Sequence, residues 1–354
     1  MRKKLIIFGA LALATSQTLA NASSVDVTSL PQGMLVVTAS VGSTTYLSLP
    51  LSNNAIFTGT VASVNSNAIA TNLSPGPFTM DLANPAWPYF VKFLSGSEVG
   101  RTLLITGSTA STLNLNIGDN TAQQVSLLTS GFSVKPGDAF EVVPADTLAT
   151  IFGTGTAQSP LTLTGSSNYA TADWVNVFNP TTGSWQVYYF NTSANCWALE
   201  GSTTNVNSTV LYPYRGLSIT RHSATEPTAS LVLTGRVAEV PVMTKTIGSN
   251  AVVYGSTGYP VGMKLSQLNF GSNWVKGTST ATADVIGVWN SSTKTFQDYY
   301  ELPSNSWRLS GNTTTDQSNV VVPAGDCISL QQHTSVSGST SYLPSSMPYT
   351  LANF

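Results

Sequence analysis

The chain has 354 residues, only 8% of them charged, against roughly a quarter in ordinary globular proteins. Its formal net charge is −2; leaving out the three N-terminal cations makes the remainder more acidic, about −5, which disfavours a nucleic-acid partner. The length allows two or three domains with a substantial core, and a surface covered largely by Ser, Thr, Asn and Gly.

The chain begins with Arg2, Lys3 and Lys4, followed by an apolar run from Leu5 to Ala14. This pattern predicts a secretory signal peptide over residues 1–20, cleaved after Ala20, with Ala20-Asn21-Ala22 as the alternative site. Export places the protein outside the cell, on its surface or in a periplasm. The run falls short of the ~20 residues that cross a bilayer, and no later stretch is long and apolar enough, so no integral membrane span is expected. A lipid anchor would need a cysteine at the cleavage point, and the only cysteines are Cys196 and Cys327.

Beyond the signal segment, period-two apolar alternation dominates and helical periodicity is almost missing. Met34 to Thr38, Thr60 to Val64, Leu113 to Asn116 and Ser230 to Thr234 read as strands between Gly, Asn, Ser and Pro turns. The predicted fold class is all-β: an N-terminal β-barrel or sandwich-like domain over 21–155, then two related antiparallel β-meander units, themselves sandwich or barrel-like, over 156–250 and 251–354. The exception is Ala145 to Phe152, where Asp146 is placed to cap one short helical turn.

The two later units rest on an internal repeat. Ala172-Asp173-Trp174-Val175-Asn176-Val177-Phe178-Asn179 matches Ala283-Asp284-Val285-Ile286-Gly287-Val288-Trp289-Asn290, an offset of 111 residues that also aligns Trp185 with Phe296 and Tyr188-Tyr189 with Tyr299-Tyr300. After a one-residue deletion Trp197 and Leu199 align with Trp307 and Leu309. Aromatic residues opposed across antiparallel strands contribute about 0.2 to 1 kcal/mol each over alanine pairs, so the repeated aromatics are read as core. Asp173 and Asp284 recur just before a strand, where a carboxylate can accept backbone N–H bonds. Cys196 and Cys327 fall in different units at unmatched positions, and two readings stand: one disulfide, in keeping with an oxidising compartment, or two buried free thiols.

Within the N-terminal part, Ser95-Gly96-Ser97-Glu98-Val99-Gly100-Arg101 leads through Leu103-Leu104-Ile105 to Thr106-Gly107-Ser108-Thr109-Ala110-Ser111-Thr112-Leu113-Asn114-Leu115, followed by Lys135-Pro136-Gly137-Asp138-Ala139-Phe140 and Thr147 to Gly153. This order resembles a family of uncharacterised exported β-rich proteins from Verrucomicrobia-type bacteria. The resemblance extends over most of the chain after the signal segment. It implies export and β-structure, and with no established activity in the family it carries no catalytic residue to this chain.

The sequence holds no recognisable active site. His222 and His333 are the only histidines; both lie in polar segments, next to Ser223 and Thr334, and read as loop or strand-end residues. No Gly-x-Ser-x-Gly elbow accompanies them, no His-Glu-x-x-His or Cys-x-x-Cys spacing suggests zinc, and no calcium loop is present. A glycosidase needs only two carboxylates, but nothing singles out a pair among the 16 acids. An outer-membrane barrel is disfavoured because Pro344 and Pro348 interrupt the last strand before Phe354. Sugar rings stack on exposed aromatics, and of the seven tryptophans Trp87 and Trp274 lie outside the repeated pattern; these two are the candidate ligand contacts. The expectation is a non-catalytic structural or cell-surface protein of an envelope, appendage or matrix, without cofactor or metal. A carbohydrate-binding or adhesion module is the alternative and a secreted hydrolase the third. The expected partners are further copies of the chain or surface glycans.

Overall fold

The computed structural model describes residues 31–354 except 74–75, 77, 118–132, 180–181, 214, 223–227, 243, 246–251, 272–273, 291, 334–340, 343–346 and 350–354. The predicted signal segment with Ala20 and Ala22, and the terminal Phe354, lie outside the described residues.

In chain order, β1 (Gln32–Ser40) and β2 (Thr44–Leu47) come first. β3 (Phe57–Thr60), β4 (Ser63–Val64), β5 (Ala68–Ala70), β6 (Tyr89–Phe93), β7 (Thr102–Ser108), β8 (Thr112–Leu115) and β9 (Ala139–Pro144) follow. Next are β10 (Asp146–Thr147), α1 (Leu148–Phe152), β11 (Trp174–Asn179), β12 (Ser184–Asn191), β13 (Cys196–Leu199), β14 (Val210–Leu211), β15 (Leu217–Thr220) and β16 (Thr228–Arg236). The last group is β17 (Thr244–Lys245), β18 (Val252–Ser256), β19 (Met263–Lys264), β20 (Val285–Asn290), β21 (Thr295–Glu301), β22 (Trp307–Leu309), β23 (Val321–Val322), β24 (Cys327–Gln331) and β25 (Ser341–Tyr342). The protein is therefore all-β, with antiparallel sheets and, among the described residues, one short α-helix.

Strands β3 to β9 form a seven-stranded sheet in the order β3-β9-β6-β7-β8-β5-β4, closed over its own core of Val91, Phe93, Leu103, Leu113, Phe140 and Val142. Thr60 to Val64, expected as one strand, is broken: Val61 and Ala62 separate β3 from β4 and carry the chain from one pairing partner to another.

Two five-stranded sheets are built alike, β13-β12-β11-β15-β2 and β22-β21-β20-β24-β18. Tyr46 lies opposite Ser218 in the first as Tyr254 lies opposite Ser329 in the second, and Val175 opposite Ile219 as Ile286 opposite Leu330. Each has a matching small pair beside it, β10 with β14 and β19 with β23, and a matching outer pair, β1 with β16 and β17 with β25. The hairpin turns agree as well. Gly183 and Lys294 both take positive φ, 66° and 56°, as their N–H groups close the β11–β12 and β20–β21 turns.

Sheet membership thus cuts across the boundary expected near residue 155. Strands β1 and β2 belong with β16 and β15, and the seven-stranded sheet occupies the chain between β2 and β10. The seam between the two is charged and buried. Arg236 on β16 donates to Glu141 of β9 at 2.9 Å and to Glu239 at 2.8 Å, with Lys92 3.5 Å from the same Glu141 carboxylate. Burial pulls the Lys92 ammonium below its ordinary value, and Glu141 works against that shift.

Alternation decides which face each strand buries. On β1 and β16, Leu35, Val37, Leu231 and Leu233 point inward to cover the first five-stranded sheet, while Met34, Val36 and Val232 are exposed. Val175, Val177, Phe190 and Trp197 complete that core with Phe152 of α1. Ile286, Val288, Tyr299 and Trp307 form its counterpart with Phe270. The helix is capped by Thr147 and Thr150 in a reciprocal capping box, not by Asp146, which is held in β10 opposite Leu211.

The opposite faces of the two sheets meet. Phe178, Trp185 and Tyr46 from the first pack among Trp289, Phe296 and Tyr254 from the second, with centroid separations from 4.6 Å for Tyr46–Trp289 to 6.2 Å for Tyr46–Tyr254. Trp185 and Trp289 therefore fill the space between the sheets, whereas Trp197 and Trp307 fill the core of each.

Candidate functional site

A cleft of about 620 Å³ opens where the seven-stranded body meets the first five-stranded one. One wall is Ala86-Trp87-Pro88-Tyr89; the other is Asn205, Asn207 and Ser208; Asn53, Thr147, Thr150 and Thr154 contribute between them.

Trp87 is held out by a tight local turn. Its N–H donates to the Asn84 carbonyl at 3.0 Å, the Ala86 N–H donates to Asn84 Oδ1 at 2.9 Å, and Pro85 and Pro88 fix φ on either side of Ala86-Trp87. The indole is 69% exposed, rare for so large an apolar side chain. In the lining of the same cleft, Asn207 accepts the Trp197 N–H at 2.8 Å through Oδ1 and donates its own N–H to Asn205 Oδ1 at 2.9 Å. The Nδ2 groups of both asparagines have no hydrogen bond among the described residues. Trp197 is anchored in turn by its indole N–H, which donates to the Gly153 carbonyl at 2.8 Å. Asn53 donates to the Pro144 carbonyl at 3.1 Å and to Asp146 Oδ1 at 2.9 Å.

Asp146 lies just behind the cleft, in the walls of two adjoining cavities. Burial pushes its carboxyl up to about 6, opposed by the Asn53 hydrogen bond. Asp326, remote in sequence and just before β24, is pushed up to about 6 by burial as well. General acid–base hydrolysis needs a second acid, base or nucleophile converging on one site, and the side-chain partner of Asp146 is an amide. Among the described residues no group of three or more His, Cys, Asp and Glu side chains is placed to hold a metal.

The other candidate, Trp274, is not a ligand contact. It is 7% exposed and stacks on Phe270 at 4.0 Å and 19°, with Trp307 beside it. It belongs to the second core although it lies outside the aligned aromatics. Nor do Cys196 and Cys327 form a disulfide: both are buried free thiols. Cys327 is wedged against Gly216, where even a methyl group would come within 2.4 Å of its sulfur.

The histidines occupy matched positions that the sequence alignment did not reach. The backbone N–H of His222 donates to Asp173 Oδ1 at 2.8 Å, and that of His333 to Asp284 Oδ1 at 2.7 Å. The second carboxylate oxygens accept from Thr164 and Val275, each at 2.9 Å. Each aspartate holds the histidine's main chain and not its imidazole, so these Asp–His pairs are clamps on strand ends and not parts of a triad. In the first, Arg221 adds a buried ion pair to Asp173 at 2.8 Å.

No match to this chain was found among protein families, curated proteins or solved structures.

Proposed function

We propose that this is an exported, non-catalytic surface protein that binds saccharide in the Trp87 cleft. The observation that carries the reading is a turn-held, 69% exposed tryptophan that lines one cleft together with amides and hydroxyls. Such a lining supplies hydrogen bonds to sugar hydroxyls, while the apolar face of a pyranose stacks on the ring. Export is supported by the cationic and apolar N-terminus and the sparse charge, in keeping with the likeness to the exported Verrucomicrobia-type family. We further read the two five-stranded sheets as copies of one unit, the first split by insertion of the seven-stranded body. On that reading the insertion supplies the Trp87 wall to the first copy, and the second copy lacks it. Affinity electrophoresis of the purified protein in polysaccharide gels tests the proposal: retardation by a glycan that Trp87→Ala abolishes supports it, and unaltered mobility in every gel opposes it.

A second reading is favoured by the β1–β16 ribbon, a two-stranded sheet whose outer face exposes Met34, Val36 and Val232. Exposed strands with apolar faces suit edge-to-edge assembly. Light scattering across a concentration series, with Val36→Lys as control, separates a self-assembling structural protein from a monomeric binder.

A further inference from the structure

We infer that the Trp87 cleft is selective for uncharged glycan and takes it across both walls at once. The inference rests on the saccharide reading of the cleft and adds the chemical class of ligand. The residues lining the cleft include no Lys, Arg, His, Asp or Glu. A uronate or sulfate would lose its hydration there without a cation to receive it, a transfer that is costly unless the charge is paired. The carboxylate of Asp146 lies just behind Asn53; above pH about 6 it is ionised and adds a field that opposes anions.

The free hydrogen-bonding groups have the opposite character. Nδ2 of Asn205 and of Asn207 donate, Oδ1 of Asn53 accepts, and the Ser208 hydroxyl does either. Sugar hydroxyls also donate and accept, so a neutral ring satisfies these groups without stranding a charge. The stacking surface comes from one body and the amides of Asn205 and Asn207 from the other, and a ligand that uses both touches both bodies.

The test is titration of the full protein with neutral cello-, manno- and chito-oligosaccharides and with anionic oligogalacturonate and oligoalginate, at low and high salt. The expected result is binding of a neutral oligosaccharide with affinity insensitive to salt. It should weaken about tenfold or more in Trp87→Ala, recover in part in Trp87→Phe, and weaken severalfold in Asn205→Ala. Trp87 is exposed and its replacement leaves the core intact, so loss of binding there reports on the cleft. Tighter binding of an anionic glycan that falls with salt and is lost in Trp87→Ala would overturn the uncharged class and leave the saccharide reading standing. Binding that survives Trp87→Ala, or no binding by any of the five probes, would overturn both.

Discussion

Tyr46 and Tyr254 stack on one another, ring centroids 6.2 Å apart and planes 17° from parallel, although each holds the same place in a different sheet. The two sheets thus touch through residues that pair alike within each. Tyr254 also meets Phe178, Trp185 and Phe296 at 5.1, 4.8 and 5.6 Å. Tyr254→Ala should cost about 2–4 kcal/mol in urea unfolding. In a double-mutant cycle with Tyr46→Ala the two losses should fall short of additivity by about 0.5–1.5 kcal/mol. Full additivity would mean the rings do not interact.

Trp87 and Trp274 should separate cleanly. Trp87→Ala is expected to change stability by no more than about 0.5 kcal/mol, as an exposed side chain does. Trp274→Ala removes a ring stacked in the second core and should cost about 3–5 kcal/mol. Collisional quenching of intrinsic fluorescence should show one readily quenched component that disappears in Trp87→Ala.

Much of this was legible in the sequence, and the failures have physical causes. The aligned aromatics fall on β11, β12 and β13 and on β20, β21 and β22, where alternation sets each in register with a strand partner. The fifth strand of the first sheet stayed hidden because β2 is joined to β15 through hydrogen bonds across the whole intervening body, and periodicity carries no information about distant partners. Trp274 was misjudged because its stacking partner Phe270 comes from an irregular stretch that no strand pattern marks. The amide lining was missed for a different reason: Asn205, Asn207 and Ser208 have the same composition as an ordinary turn, and only the third dimension brings them into one cleft with Trp87.

Stability should fall as pH rises through the mildly acidic range. Asp146 and Asp326 keep their protons to about pH 6 in the folded chain, against 3.8 for the unconstrained group. Between those limits the folded state binds more protons than the unfolded one, so the stabilisation is complete below 3.8 and is lost as pH climbs through 6. For the more buried Asp146 the full swing is on the order of 2–3 kcal/mol; for Asp326 it is smaller. Asp146→Asn should flatten the profile of unfolding free energy between pH 4 and 7 and raise stability at pH 7. A profile unchanged by the substitution would exclude Asp146 as the source.

Lys294 occupies the left-handed turn position that Gly183 fills in the matching hairpin. A lysine pays a steric penalty there that glycine does not. Lys294→Gly should therefore stabilise the protein by about 0.5–1 kcal/mol, and Gly183→Ala should destabilise it by a similar amount. Thermal midpoints of the two variants, moving in opposite directions, are the measurement.

Both thiols should be silent in the native protein. Cys196 and Cys327 are buried, and burial pushes the Cys327 thiol far above its ordinary value, which suppresses the reactive thiolate. A thiol reagent should label neither residue natively and both after denaturation, and reductant should leave the melting midpoint where it was.

The separation of β2 from β15 also has a consequence in time. A ribosome delivers β1 and β2 early, but the strands that receive them, β16 and β15, emerge only after the seven-stranded body and α1. That body has a core of its own, while the apolar residues Leu35, Val37 and Leu47 wait uncovered. Pairings of such long sequence separation form slowly and leave the chain open to wrong partners meanwhile. The first sheet is thus begun early and completed late, and a chain carried across a membrane before that closure would travel with its longest-range pairings still unmade.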